Sequence, residues 1–216
     1  MDRFASQVAS YYAGTEYQRQ DTDQEIRPDD RVMRDIALSA YHPTSQIDGF
    51  TLVPGLSTHE TVTYVNPITR QAVVSFRGST TREDWLVTDT ALAVGKLQDT
   101  ARFQRAKQDL DNAKSNLKNY SIYLTGHSLG SRLGEDLSDT PGVKDHTGFN
   151  TGYGIADMIP EQYKPARYKH ANSRSYINKR DYVSMSGRRN DNNVYYSQGY
   201  LASAHKANPR KWSNTY

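Results

Sequence analysis

The sequence predicts an α/β fold, a mostly parallel central sheet flanked by helices in a compact version, and three observations carry that reading. Short apolar, β-rich runs alternate along the chain with segments of helical periodicity, the pattern of strands joined by crossover helices. One run, Ala72-Val-Val-Ser-Phe76, is apolar nearly throughout, as a strand covered on both faces must be. Another, Tyr120 to Thr125, leads straight into Gly126-His127-Ser128-Leu129-Gly130 and then a helical stretch. A strand, a sharp turn and a helix follow one another there.

Taken in order, Phe4, Val8, Tyr11 and Tyr12 share one face of a short helix that stops near Gly14. Thr15 to Asp30 is polar and reads as a linker or wrapping segment. Residues 1–30 are therefore expected to form a helix and arm ahead of a domain spanning 31–216. Met33, Ile36, Ala37, Ala40 and Tyr41 mark a second amphipathic helix, introduced by Asp29 or Asp30 and ended by Pro43. From Phe50 the texture is β: Val62 and Tyr64 alternate with polar residues, Asn66-Pro67 turns the chain, and the run to Phe76 feeds Arg77-Gly78-Ser79-Thr80. Trp85, Leu86, Leu92 and Val94 make a shorter amphipathic piece.

The strongest helix has Phe103, Ala106, Leu110, Ala113 and Leu117 on one face. After the sharp turn, Leu129 to Leu137 reads as a short helix closed by Asp139-Thr-Pro-Gly142. Thr147 to Gly154 is Gly-rich and reads as a strand edge or a loop. Ser173 to Asn178 is a strand with Asp181 just beyond it, and the tail from Lys206 is basic and turn-rich.

A chain of 216 residues supports one large domain that buries roughly 70% of its unfolded surface. Only 36% of it is hydrophobic and 16 residues are tyrosine, so a thin core with amphipathic rings at its margin is expected. A net charge of +3 gives little reason to expect a polyanionic partner, and the absence of cysteine excludes disulfides, thiolate catalysis and cysteine metal sites. The N-terminus has no apolar core of a secretory signal, and no run approaches membrane-spanning length. An intracellular or virion-associated location is therefore expected over secretion.

Gly126, Ser128 and Gly130 fill the G-x-S-x-G pattern. The pattern needs those residue types for a steric reason: the serine occupies a strained turn, and flanking glycines remove Cβ atoms that would strike the adjacent strand and helix. A serine nucleophile requires a base, and the base requires an orienting acid. In this architecture they follow in the order Ser, Asp or Glu, His. His42, His59 and His127 come too early, leaving His146, His170 and His205, of which only His205 follows Asp181. Asp157 and Asp191 compete with Asp181 for the acid, whose place after a strand favours it. An oxyanion needs two donors: one from the backbone N–H of Leu129, the other from the loop after an earlier central strand, where Ser79 sits.

Phe76-Arg-Gly-Ser79, Asp84-Trp85 with Asp89, Gly126-His-Ser-Leu-Gly130, Asn178-Lys-Arg-Asp181-Tyr-Val183 and His205 together resemble the class 3 lipases. These are fungal-lipase-like α/β-hydrolases that cleave acylglycerols, phospholipids and related esters, and the likeness spans roughly residues 30 to 205. The resemblance implies Ser128 as nucleophile, Asp181 as acid, His205 as base, and Ser79 with Leu129 as oxyanion hole. It implies that Trp85 and Leu86 belong to a lid or acyl-site segment, and that neither cofactor nor metal takes part. Expected partners are a lipid or other ester substrate and, transiently, a lipid interface.

Four departures stand out: Ser131-Arg132 replaces the second Gly and small residues usual after the serine turn, the segment between the following helix and the acid is short, Arg102-Phe103 replaces a Gly-Phe step before the long helix, and residues 1–28 have no counterpart.

Other chemistries fit less well. His59-Glu60 begins an H-E-x-x-H pattern that Thr63 breaks, and Gly95-Lys96 lacks the first glycine of a phosphate loop, with Thr90 in its place. Arg188-Arg189, Lys206, Arg210 and Lys211 have no nucleic-acid-binding module around them, and read as solvated faces or, less favoured, an anionic lipid contact. The rival reading is a non-catalytic protein using this fold as a scaffold within a larger assembly, cellular or viral. The polar arm, Arg132 and the thin core motivate it.

Overall fold

The computed structural model describes residues 27–79, 97–153, 172–181, 184 and 193–197. The expected N-terminal helix, the Trp85 segment and the basic tail lie outside the described residues.

Helix α1, Asp30–Ser39, begins where the Asp29 carboxylate accepts a hydrogen bond from the Arg31 amide at 2.8 Å, a cap worth about 1 kcal/mol. Its buried Val32, Met33, Ile36 and Ala37 share one face. Asp30 fastens the helix start to the sheet, pairing with Arg27 and Arg174 at 2.7 and 2.8 Å and accepting the Tyr176 hydroxyl.

Eight strands follow: β1 Gln46–Ile47, β2 Phe50–Leu52, β3 Thr61–Asn66, β4 Gln71–Phe76, β5 Ser121–His127, β6 Val143–Phe149, β7 Ser173–Asn178 and β8 Val194–Tyr196. They form one sheet whose spatial order is the chain order. Strands β1 to β4 pair antiparallel. From β4 to β8 every pairing is parallel. Helix α2, Ala101–Asn116, connects β4 to β5, and helix α3, Leu129–Leu137, connects β5 to β6.

Strand alternation divides the interior in two. Ala72, Val74, Phe76, Ile122 and Leu124 pack with Phe103, Leu110, Leu129 and Leu133 in one cluster. Val73 and Tyr123, the intervening residues, pack with Met33, Ile36, Tyr64 and Phe149 in the other. Helices α2 and α3 therefore cover one face and α1 the opposite face. Right-handed crossovers between strands that advance in one direction put their helices on the same side.

Two expectations need correction. No strand is read from the sequence immediately before Thr147, yet β6 starts at Val143, is paired on both sides and ends at Phe149, with residues 150–153 in a loop as the Gly-rich stretch suggested. Its core contacts are polar, which hid it: His146 Nδ1 lies 2.8 Å from Ser173 Oγ, and the Thr125 hydroxyl donates to the Thr147 carbonyl at 2.7 Å. Nor do the rings of Tyr64 and Tyr123 stay at the margin of the core, being 0% and 2% exposed. Tyr64 is accommodated because its hydroxyl donates to the Thr44 carbonyl at 2.6 Å.

Candidate active site

Ser128 joins β5 to α3 with φ 56° and ψ −126°, a backbone conformation that costs a side-chain-bearing residue on the order of 1–3 kcal/mol. Neighbouring backbone holds it there. The Ser128 amide donates to the Phe149 carbonyl at 3.1 Å, and the Ser128 carbonyl accepts the Arg132 and Gly152 amides at 3.2 and 3.0 Å. Its side chain does not cap α3. Residue 128 is half-buried between buried neighbours.

The flanking glycines are required by contact. A Cβ at Gly130 would overlap the Phe76 carbonyl oxygen and lie 2.9 Å from the Arg77 carbonyl carbon; one at Gly126 would come within 2.6 Å of the Ser131 nitrogen. The first turn of α3 thus rests directly on the exit of β4.

That exit carries Arg77-Gly78-Ser79 past the turn. A Cβ at Gly78 would be 3.3 Å from Ser128 Cβ and 2.8 Å from the His127 carbonyl oxygen. Against Gly78 stands Tyr41, whose hydroxyl lies 3.0 Å from His127 Nδ1 and whose ring meets the imidazole edge-on at 5.9 Å. Burial pushes the Tyr41 phenol up to about 12, with the Gly78 amide hydrogen bond and the charges of Arg77 and Arg102 pulling the other way. The phenol is neutral at physiological pH.

The Leu129 amide opens α3, where the first N–H groups have no acceptor within the helix and the helix dipole is positive. Beside it, a Cβ at Gly152 would sit 3.2 Å from the Leu129 nitrogen and 3.6 Å from Ser128 Oγ. Glycine there keeps the space beside both atoms open. Asn150, at φ 45°, fixes this loop: its Oδ1 accepts the Asn178 amide at 3.1 Å and the Tyr196 hydroxyl at 2.8 Å.

Asp181 leaves the carboxyl end of β7 and is 2% exposed. Its amide donates to the Asn178 carbonyl at 2.9 Å, and its carboxylate accepts the Ser184 hydroxyl. Ser128 and Asp181 follow the same edge of the sheet with β6 between their strands, a backbone spacing of about 10 Å. His205, Trp85 and Leu86 lie outside the described residues, as do His170, Asp157 and Asp191. Ser79 is half-buried at the end of the β4 exit. His146 is fully buried within β6, and a Cβ at Gly134 of α3 would come 2.7 Å from its ring. It packs beneath α3, away from the edge that carries Ser128.

Arg132, the bulky charge after the turn, is compensated inside the protein. It pairs with Glu135 at 2.9 Å and Asp136 at 3.2 Å, and its guanidinium lies 5.8 Å from the Tyr153 ring centre. Glu60 is engaged too, by Arg105 at 2.8 and 3.0 Å and by Arg102. Burial raises the Glu60 carboxyl, but the Arg105 hydrogen bonds and the Arg102 charge outweigh it and hold the group down at about 2. Among the described residues no His, Asp and Glu cluster is suited to a metal ion, and no helix is long and apolar enough to cross a membrane. Tyr41, Gly78 and Gly152 join the site, where sequence reasoning assigned them no role. The Gly-rich texture after Thr147 was the one signal that pointed toward Gly152.

No family model and no curated relative matches the chain. Among solved structures it is similar to three fungal lipases. A triacylglycerol lipase from Penicillium expansum is 18% identical, with 81% of each chain covered and a TM-score of 0.49. A lipase from Yarrowia lipolytica is 15% identical over 76% of each chain, with a TM-score of 0.43. A mono- and diacylglycerol lipase from Aspergillus oryzae is 19% identical, covering 72% of this chain and 71% of the other, with a TM-score of 0.41.

Proposed function

We propose that the chain is a serine-dependent carboxylic ester hydrolase of the lipase type, acting on acylglycerols or phospholipids. The observation that carries the reading is the strained Ser128 backbone, φ 56° and ψ −126°, set between two glycines with no room for a Cβ. Strain of this kind persists only where surrounding structure enforces it, and it lifts a serine hydroxyl clear of the sheet. The compensated charge of Arg132 also removes one motive for the scaffold reading.

In the proposed reaction the imidazole of His205 takes the proton of Ser128 as Oγ bonds to the ester carbonyl carbon. The carbonyl π electrons move to oxygen, and the oxyanion faces the Leu129 amide and the Ser79 end of the β4 exit. Collapse of this intermediate breaks the carbon–oxygen bond to the alcohol, which leaves with the proton from the imidazolium. Water, deprotonated by the same imidazole, then releases the acid and restores Ser128. Asp181 orients the ring and steadies its charge. Trp85 and Leu86 are assigned to the acyl-binding side.

Incubation with a fluorophosphonate probe and a short-chain p-nitrophenyl ester tests this. Wild type is expected to label and turn over, and Ser128→Ala to do neither. A wild type as inert as Ser128→Ala in both assays would establish the scaffold instead. A panel of acylglycerols and phospholipids, with and without an interface, then separates the substrate classes.

A further inference from the structure

We infer that Arg102 is a positioning residue for the oxyanion side of this site, holding the peptide that sets the direction of Ser79; the inference rests on the esterase reading above. The peptide in question joins Arg77 to Gly78. Its carbonyl oxygen accepts a hydrogen bond from Arg102 Nη2 at 2.7 Å, and at its other end the Tyr41 hydroxyl packs against Gly78 so closely that a Cβ there would have no room. Both ends of one planar unit are thereby held, and a peptide so pinned cannot swing about its long axis.

The preceding residue is fixed as well, since the Arg77 amide donates to the Glu60 carbonyl at 2.9 Å. Gly130 of α3 closes the remaining side, where a Cβ would come within 2.9 Å of the Arg77 carbonyl carbon and glycine alone lets the helix pack. Beyond this unit the next amide along the chain is that of Ser79.

Arg102 is built for one geometry. Its side chain is 11% exposed and its charge is met by the Glu60 carboxylate, itself 9% exposed and anchored by Arg105. The guanidinium reaches the carboxylate with Nη1 and the Arg77 carbonyl with Nη2, a fork that a lysine cannot reproduce. Arg105 supplies the internal control. It bonds the same carboxylate twice and is half-exposed, whereas the bond to the Arg77 carbonyl comes from Arg102. Loss of either arginine weakens the ion cluster, but only loss of Arg102 frees the peptide beside Ser128.

The experiment compares wild type, Arg102→Lys and Arg105→Lys by kcat and KM on a short-chain p-nitrophenyl ester, by fluorophosphonate labelling rate, and by Tm. The expected result is a kcat about 10²-fold lower for Arg102→Lys with KM within about twofold, and near wild-type kcat for Arg105→Lys. Arg102→Gln serves if the lysine variant does not fold. Equal losses in the two arginine variants, or full activity in Arg102→Lys, would overturn the inference while leaving the esterase reading standing. A wild type that neither labels nor turns over would overturn both.

Discussion

Tyr41 and His127 are 86 positions apart in the chain, yet the phenol of one lies 3.0 Å from the imidazole Nδ1 of the other. The contact ties the segment after α1, which covers one face of the sheet, to the last residue of the strand that delivers Ser128. A helix from one face and a turn leading to the other are thus joined at the sheet edge.

Tyr41→Phe keeps the ring and removes the oxygen. It removes the bond between that oxygen and His127 Nδ1, and stability is expected to fall by about 1 kcal/mol. If the esterase reading holds, kcat should fall roughly tenfold, because the β4 exit is then held at one end only. Steady-state kinetics beside thermal melts check this, and a variant of undiminished kcat would remove Tyr41 from the site.

Ser128→Gly is expected to be more stable than wild type by about 1 kcal/mol, since glycine adopts the left-handed conformation without penalty. For a chain of this size that raises Tm by about 2–4 °C. Ser128→Ala keeps the Cβ and should leave Tm nearly where it was. Calorimetry of the two variants separates backbone strain from any effect of losing the hydroxyl.

Acid should weaken the anchor of the β4 exit through Glu60. The folded carboxyl sits at about 2 against an ordinary value of 4.5, so the stabilisation from its ionised form is complete above pH 4.5. It is lost as pH falls through 4.5 toward 2, because a depressed carboxyl binds its proton last in the folded state. Melting curves for wild type and Glu60→Gln should converge over that interval. A gap that stays constant from pH 6 to pH 2 would show that Glu60 contributes through packing alone.

Arg132→Ala removes the cation paired with the buried side chains of Glu135 and Asp136, and should cost about 3–5 kcal/mol. Replacing all three with apolar residues of similar volume should recover most of that loss. Urea denaturation of the single and triple variants measures the difference.

How much of this was legible depended on whether the signal was local. The faces of α1 and α2 could be read because their apolar residues recur at helical spacing, and β4 because it is uniformly apolar. The turn at Ser128 was legible because its glycines answer a steric need five residues wide. Strand β6 was obscured by His146 and Thr147, which are buried because Ser173 from the next strand meets the imidazole and Arg27 donates to the threonine hydroxyl. Strand β8 has three residues, and its place is set by pairing with β7. Tyr41 and Arg102 serve the site through partners far along the chain, which no local periodicity encodes.

Because each strand lies next to the one synthesised just before it, the sheet can be laid down in the order in which the ribosome releases it. The four antiparallel strands offer a template on which β5, with its tight turn, docks as soon as α2 has formed. The strand that leads to Asp181, β7, arrives only after β6 has been set in place. Assembly by sequential addition to a growing edge keeps every step a closure between neighbours, and a nascent chain would carry its serine turn well before the acid that is to work with it.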